Sequence, residues 1–224
     1  MTNTAAATNV TEETEHTALE LVADRDAASL VLSPDAQDLL FREARTANSF
    51  SEEPVTDEQV QAIYDLVKWG PSSANTQPLR VLLVRSPEAR ARLVPLLSEG
   101  NREKTAAAPL VAVLAADTEF HERIPEVFPI RPEMRDYFAG DDQLRLDHAR
   151  FNATLQSGYF LLGVRAAGLA AGPMTGFDAA GVDREFFPDG AWRSLIVVNI
   201  GRPGPDAWMQ RLPRLHHDAV VRSV

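Results

Sequence analysis

The stretch WGPSSANTQP, residues 69–78, separates two segments of opposite character. Upstream, Thr56 and Gln59 are spaced as a capping box, with Val55 and Val60 at the flanking apolar positions. Val60, Ile63, Tyr64 and Val67 then recur at helical spacing, which predicts a helix with one buried stripe. Gly70 followed by Pro71 stops that helix. Downstream, residues 80–85 (RVLLVR) read as a strand, so 69–78 is a helix-to-strand connection, unusually dense in small hydrogen-bonding side chains.

The same punctuation extends outward. Ser33-Pro34 reads as an N-cap with proline in the first helical turn, opening a helix over 35–44. Ser86-Pro87 repeats that signal for a helix through residue 93. Residues 110–116 (LVAVLAA) form an apolar run between Pro109 and Asp117, expected to be a strand buried on both faces. Residues 117–146 mix three prolines with charges and aromatics, and are expected to be an irregular excursion with short helices. The longest helix is predicted over 147–168, apolar enough in its second half to be central or at a subunit interface. Residues 194–200 (SLIVVNI) give a third strand. The expectation is a flexible acidic extension over 1–32, with a helical turn near 17–22, then one α+β domain over 33–224.

Composition narrows the function. Of the net charge of −10, half lies in residues 1–26, where six acids face one arginine. No stripe of Lys and Arg offers a nucleic-acid surface. There is no cysteine, which removes disulfides, thiolate nucleophiles and Cys-ligated zinc and favours a reducing compartment. The N-terminus has no basic-then-apolar leader pattern, and no apolar run is long enough for a membrane helix. A cytoplasmic protein is therefore expected, with the Asn-x-Thr triplets at Asn9 and Asn152 accidental. No G-x-G-x-x-G, Walker A, H-E-x-x-H or G-x-S-x-G motif occurs. His216-His217 lacks a third partner nearby, so no metal site is expected.

Five short polar segments remain, at 45–50, 71–78, 100–104, 172–178 and 211–214. Taken singly each reads as a loop: Arg45 as a cation at a helix C-terminus, Gly172-Pro173 and Gly176 as a turn, Asn75 and Gln77 as partners of loop backbone. Taken together they match three needs of one ligand. A phosphate calls for Arg, hydroxyls and backbone N–H groups. A planar heterocycle calls for Asn and Gln along its edge beside an apolar flank. An electron-rich reduced ring calls for a fixed cation, a role suited to Lys104.

In order and spacing, ARTANSF (44–50), WGPSSANTQP, EGNREKTAAAP (99–109), FHERIPEVFP (120–129), GPMTGFDAAGVDREFFPDG (172–190) and RLPRL (211–215) resemble the FMN-dependent nitroreductase family. The resemblance runs over roughly 35–224 and looks closest to the malonic semialdehyde reductase subgroup. It implies a mixed β-sheet wrapped by helices in an intertwined homodimer, with FMN at the interface. Arg45, Thr46, Asn48 and Arg211 would face the FMN phosphate, and Asn48 stands where the wider family often has a basic residue. Pro71, Ser72, Ser73, Asn75 and Gln77 would come from the partner subunit to line the ring and ribityl chain. Asn101 and Lys104 would approach the pyrimidine edge, and Pro173, Met174 and Gly176 would pack against the ring. NADH or NADPH would pass a hydride to the flavin, which would reduce a small-molecule acceptor in ping-pong fashion, with no dedicated protein acid. His121, Arg123, Arg131 and Arg135 are candidates to receive the carboxylate of a small carbonyl acid such as malonic semialdehyde, or else form a solvated surface. Two alternatives stay open: a broad nitroaromatic or quinone reductase, and a non-catalytic flavin-binding protein for storage or sensing.

Overall fold

The computed structural model describes residues 30–224. The helical turn expected near 17–22, and most of the acidic extension, lie outside the described residues. The chain divides into two compact units between Ala44 and Arg45, so the first helix groups with the N-terminal unit. In that unit α1 (Pro34–Gln37) starts as expected, with Ser33 Oγ accepting from the Ala36 amide at 3.3 Å. It continues as one π-helical turn, Asp38–Arg42, in which the Glu43 amide reaches back to the Asp38 carbonyl at 2.9 Å.

The second unit holds the sheet. In chain order come α2 (Asp57–Val67), β1 (Leu79–Val84), α3 (Pro87–Leu93), α4 (Glu99–Ala107) and β2 (Leu110–Asp117). The excursion carries α5 (Ile124–Val127) and α6 (Met134–Ala139), and α7 (Asp142–Ala166), β3 (Ala170–Met174), α8 (Ala179–Phe186), β4 (Trp192–Gly201) and α9 (His217–Val220) follow. The strands lie in the order β1-β2-β4-β3. Among the described residues all three pairings are antiparallel, where the resemblance implied a mixed sheet. The α+β class itself stands.

β2 is buried along its whole length, and its alternation divides the core. Leu110, Ala112 and Leu114 face one layer with Ile63 of α2 and Phe160 and Val164 of α7. Val111, Val113 and Ala115 face the other, with Leu93, Val182 and Phe187. This period of two makes β2 a strand between two covers, each fully buried Val, Leu, Ile or Phe contributing roughly 1.5–3 kcal/mol relative to exposure. The register slips between Leu114 and Ala115, where Ile196 and Ser194 are the successive partners and Leu195 bulges out. Leu195 packs instead against a third cluster built on Phe120, Ile124 and Phe138, which gives the excursion a core of its own.

Four expectations need correction. The capping box of α2 is present and Ile63 is buried, but Tyr64 is 57% exposed, so the apolar stripe is narrower than its spacing implied. α7 begins at Asp142 rather than 147, because the Asp141 side chain caps the Leu144 amide at 3.0 Å. Residues 194–200 belong to the fourth strand, since Ala170–Met174, which includes the Gly172-Pro173 pair read as a turn, is itself a strand at the sheet edge. A proline is tolerated there because an edge strand has backbone groups that need no ladder partner. The polar segment at 100–104 is not a loop but lies within α4, whose C-terminal carbonyls of Thr105, Ala106 and Ala108 receive the guanidinium of Arg90.

Candidate functional site

Two clusters gather most of the polar residues singled out above. The first forms around β3 and α4. The segment after Ala44 runs along the outer edge of β3, with the Ala47 amide donating to the Ala171 carbonyl at 3.0 Å. Gly172 makes that approach possible, because a Cβ there would meet the Ala47 carbonyl oxygen at 2.5 Å. Asn48 is held by its amide on the Ala207 carbonyl (3.0 Å) and by Nδ2 on the Thr46 carbonyl (3.3 Å). Its Oδ1 accepts from Lys104 Nζ at 3.4 Å.

Asn101 and Lys104 are three residues apart and share one face of α4. Asn101 Nδ2 donates to the Gly176 carbonyl at 3.0 Å, and the Ser98 amide bonds the same oxygen at 3.0 Å. Deeper, Asn199 Nδ2 donates to Thr105 Oγ1 at 3.1 Å, and Thr105 Oγ1 approaches Met174 Sδ at 3.9 Å. The wall therefore combines one cation, two amides whose orientation is fixed by backbone, and the Pro173–Gly176 turn. Thr46 is exposed and Arg45 half-buried beside it.

The second cluster is the connection between α2 and β1. Residues Ser73–Asn75 form a single 3₁₀ turn. Ala74 (φ 50°), Asn75 (φ 52°) and Gln77 (φ 44°) all adopt the left-handed region that non-glycine residues avoid. The polar side chains are largely engaged with one another. Ser72 Oγ accepts from the Gln77 amide (3.1 Å), Gln77 Nε2 donates to Asn75 Oδ1 (3.0 Å), and Asn75 Nδ2 donates to the Val127 carbonyl (2.6 Å). Pro71 is exposed at the loop's entrance.

Within one chain these clusters do not meet. The loop enters β1 and the Asn48–Lys104 wall flanks β3, the two opposite edges of the sheet, three seams or roughly 14 Å apart. A cavity of about 560 Å³ lies on the β1 side, lined by Val60, Tyr64, Leu79, Val81, Gln156, Phe160 and Gln77 among others. None of Arg45, Asn48, Asn101 or Lys104 lines it. Arg211 sits exposed in the C-terminal segment, which has no regular structure before α9.

The residues expected to receive a substrate carboxylate are placed differently. His121 is buried, with 5% of its side chain exposed, its Nε2 3.4 Å from Glu122 Oε1 and its Nδ1 unpartnered. Arg123 faces Glu126 (3.3 Å), Arg131 faces Glu133 (2.8 Å), and Arg135 makes a two-pronged contact with Glu122 (2.9 and 2.9 Å). Each arginine already has a carboxylate partner, and the histidine points into the excursion's core.

The sequence reading missed the side chains that shape the loop. His148, Asn152, Gln156 and Tyr159 of α7 bond Thr76, Ser73, Leu79 and Pro71. The signal was available as His148, Asn152 and Gln156 at four-residue spacing, with Tyr159 three residues further on. Burial and a hydrogen bond with the Ser73 backbone push the His148 imidazole in opposite directions; burial dominates and lowers its pKa below the ordinary histidine value.

Comparison with known proteins adds the lineage. A relative from Streptomyces coelicolor, provisionally named NADH dehydrogenase/NAD(P)H nitroreductase, is 65% identical over 196 residues, covering 88% of this chain and all of the relative. A similarly named protein of Rhodopseudomonas palustris is 46% identical over 185 residues, covering 83% of this chain and 94% of its own length. Among solved structures, a provisionally named nitroreductase from Exiguobacterium sibiricum, in complex with FMN, superposes with a TM-score of 0.74. That match covers 86% of this chain and 98% of that one at 18% identity, a likeness of fold. The family model described as the nitroreductase family matches residues 41–202. With its antiparallel sheet and the polar segments set about the sheet's two edges, the chain belongs to the nitroreductase family.

Proposed function

We propose that this protein is an FMN-dependent NAD(P)H oxidoreductase. The observation that carries the reading is the contact of Lys104 Nζ with Asn48 Oδ1 at 3.4 Å beside the Asn101–Gly176 bond, because it builds one wall from a cation and two oriented amides. The donor set fits FMN. Arg45, Thr46, Asn48 and Arg211 would serve the phosphate, Asn101 and Lys104 the polar edge of the ring, and Pro173, Met174 and Gly176 its face. When bound, FMN would take a hydride from NAD(P)H and deliver it to an acceptor. The chain's own part is electrostatic and geometric. Lys104 favours negative charge developing beside it, and the bond from Nδ2 to Gly176 turns the Asn101 Oδ1 away from that carbonyl, so it can accept from a ring N–H.

The protein would act as a homodimer in which Pro71, Ser72, Ser73, Asn75 and Gln77 of one subunit complete the other's site. The separation of the two clusters across the sheet supports this. So does the exposed apolar surface of the C-terminal segment, where Met209, Leu212 and Leu215 are 74%, 73% and 78% exposed, and of α7, where Phe151 is 71% exposed. The chain has no cysteine, and NAD(P)H is its proposed donor; both favour a cytoplasmic setting.

For the acceptor, the pairing of Arg123, Arg131 and Arg135 with acids favours a broad nitroaromatic or quinone reductase over a malonic semialdehyde reductase giving 3-hydroxypropionate. Purified protein should show a flavin absorbance spectrum and oxidise NADH or NADPH faster with nitrofurans and quinones than with malonic semialdehyde. Flavin that neither NADH nor NADPH reduces would replace this reading with a storage or sensing role. Preferential turnover of the semialdehyde would restore the carbonyl-acid reading.

A further inference from the structure

The loop at 71–79 carries three non-glycine residues in the left-handed region, a shape that its own sequence does not favour. What opposes relaxation is one face of α7. Asn152 Oδ1 accepts from the Ser73 amide at 2.8 Å, while its Nδ2 donates to the His148 carbonyl one turn earlier at 3.0 Å. Asn152 is 1% exposed, so its amide has no water to exchange with and both of its ends are committed.

Thr76 Oγ1 lies 3.0 Å from the Ser73 carbonyl and 3.1 Å from His148 Nε2, in hydrogen-bond reach of both. The imidazole is stacked on Phe120 (ring centroids 5.3 Å apart) and flanked by Phe138 (4.6 Å). Gln156 Oε1 accepts from the Leu79 amide at 3.0 Å, where the loop becomes β1. The three side chains stand at i, i+4 and i+8 and meet the loop along its length.

We propose that Asn152 and His148 are positioning residues that hold Ala74, Asn75 and Gln77 in their left-handed shape and thereby set how tightly the flavin is gripped. This inference rests on the flavin reading above, and none of His148, Asn152 and Ala74 is among the residues assigned to the cofactor. Removing the Asn152 acceptor leaves the Ser73 amide without a partner and lets the loop relax toward ordinary backbone angles, away from the shape in which Ser72, Ser73 and Gln77 face a ligand.

The test compares wild type, Asn152→Ala, the double variant Asn152→Ala/Ala74→Gly, His148→Leu and His148→Gln, each full length. FMN affinity and hydrogen exchange at the Ser73 amide are read in parallel. Asn152→Ala should weaken FMN roughly tenfold, about the loss of one hydrogen bond, and speed exchange at Ser73. Ala74→Gly should recover several-fold of that loss, because glycine accepts φ near +50° without strain; a merely structural defect would not respond. His148→Leu should weaken FMN, and His148→Gln, whose amide can reach Thr76, should retain it. If Asn152→Ala does not fold, the His148 pair decides.

FMN affinity within twofold of wild type in Asn152→Ala and His148→Leu, or unchanged exchange at Ser73, overturns the inference while the flavin reading stands. Wild-type protein that binds no FMN overturns both.

Discussion

Lys104 Nζ stands 3.4 Å from Asn48 Oδ1, joining a helix residue to a segment 56 positions earlier in the chain. The contact gives Asn48 a role its sequence neighbourhood did not show. Where a basic residue would repel Lys104, the amide oxygen accepts from it and holds the ammonium against the β3 wall.

Replacing Lys104 by Ala should therefore weaken FMN or slow its reduction by NAD(P)H roughly ten- to a hundredfold, the scale of one hydrogen bond to a charged group. Lys104→Arg should retain most of the effect. Stopped-flow reduction and flavin titration measure the two quantities, and wild-type values for Lys104→Ala would remove this residue from the site.

Gly172→Ala forces a methyl group to within 2.5 Å of the Ala47 carbonyl oxygen, and the backbone must give way. A destabilisation of about 1–3 kcal/mol is expected, as for other overpacked positions. Because the displaced segment carries Arg45, Thr46 and Asn48, FMN affinity should fall with it. Urea denaturation followed by flavin titration on the same variant tests both parts.

His148 makes stability depend on pH. The folded chain disfavours the imidazolium, so its pKa is lowered, while the unfolded chain titrates near the ordinary value of about 6.5. The unfolded state therefore binds the proton more readily. Stability is full above about pH 6.5, falls as pH drops below it, and levels off once the folded state is protonated as well. The urea midpoint of wild type should drop between pH 8 and pH 5.5 by more than that of His148→Gln; equal drops would show that other groups are responsible.

Met209→Asp together with Leu212→Asp alters residues that are 74% and 73% exposed in the single chain. On an isolated subunit such changes should shift stability by less than about 0.5 kcal/mol. In a dimer that covers this segment they should yield monomers in analytical ultracentrifugation, with FMN lost in parallel. A dimer that survives the double change would place the interface elsewhere.

Much of the local structure was legible because its causes are local. Thr56 and Gln59 cap α2 through bonds between neighbours, and Ser86-Pro87 opens α3 by the same short-range chemistry. β2 announced itself because a strand covered on both faces is apolar at every position. β3 was hidden: Ala170–Met174 contains a glycine and a proline, and only pairing with β4 on one side and Ala47 on the other makes it extended. α4 was hidden by weak amphipathicity, and Arg90 on its last carbonyls is a contact across nearly twenty residues. Tyr64 matched the helical spacing of α2, yet spacing does not report how wide the covering layer is.

The caps, the strand–helix punctuation and the set of polar segments that carries the family likeness follow from the sequence, because they depend on residue type and short spacing. How those segments divide is a matter of tertiary packing. It set the Asn48–Lys104 wall at one sheet edge and the loop at 71–77 at the other, paired the arginines of the excursion with acids, and gave α7 the side chains that hold the loop. Hydrogen bonds such as that from the Ser73 amide to Asn152, 79 residues apart, form only when packing brings the two segments together, and sequence spacing carries no record of that.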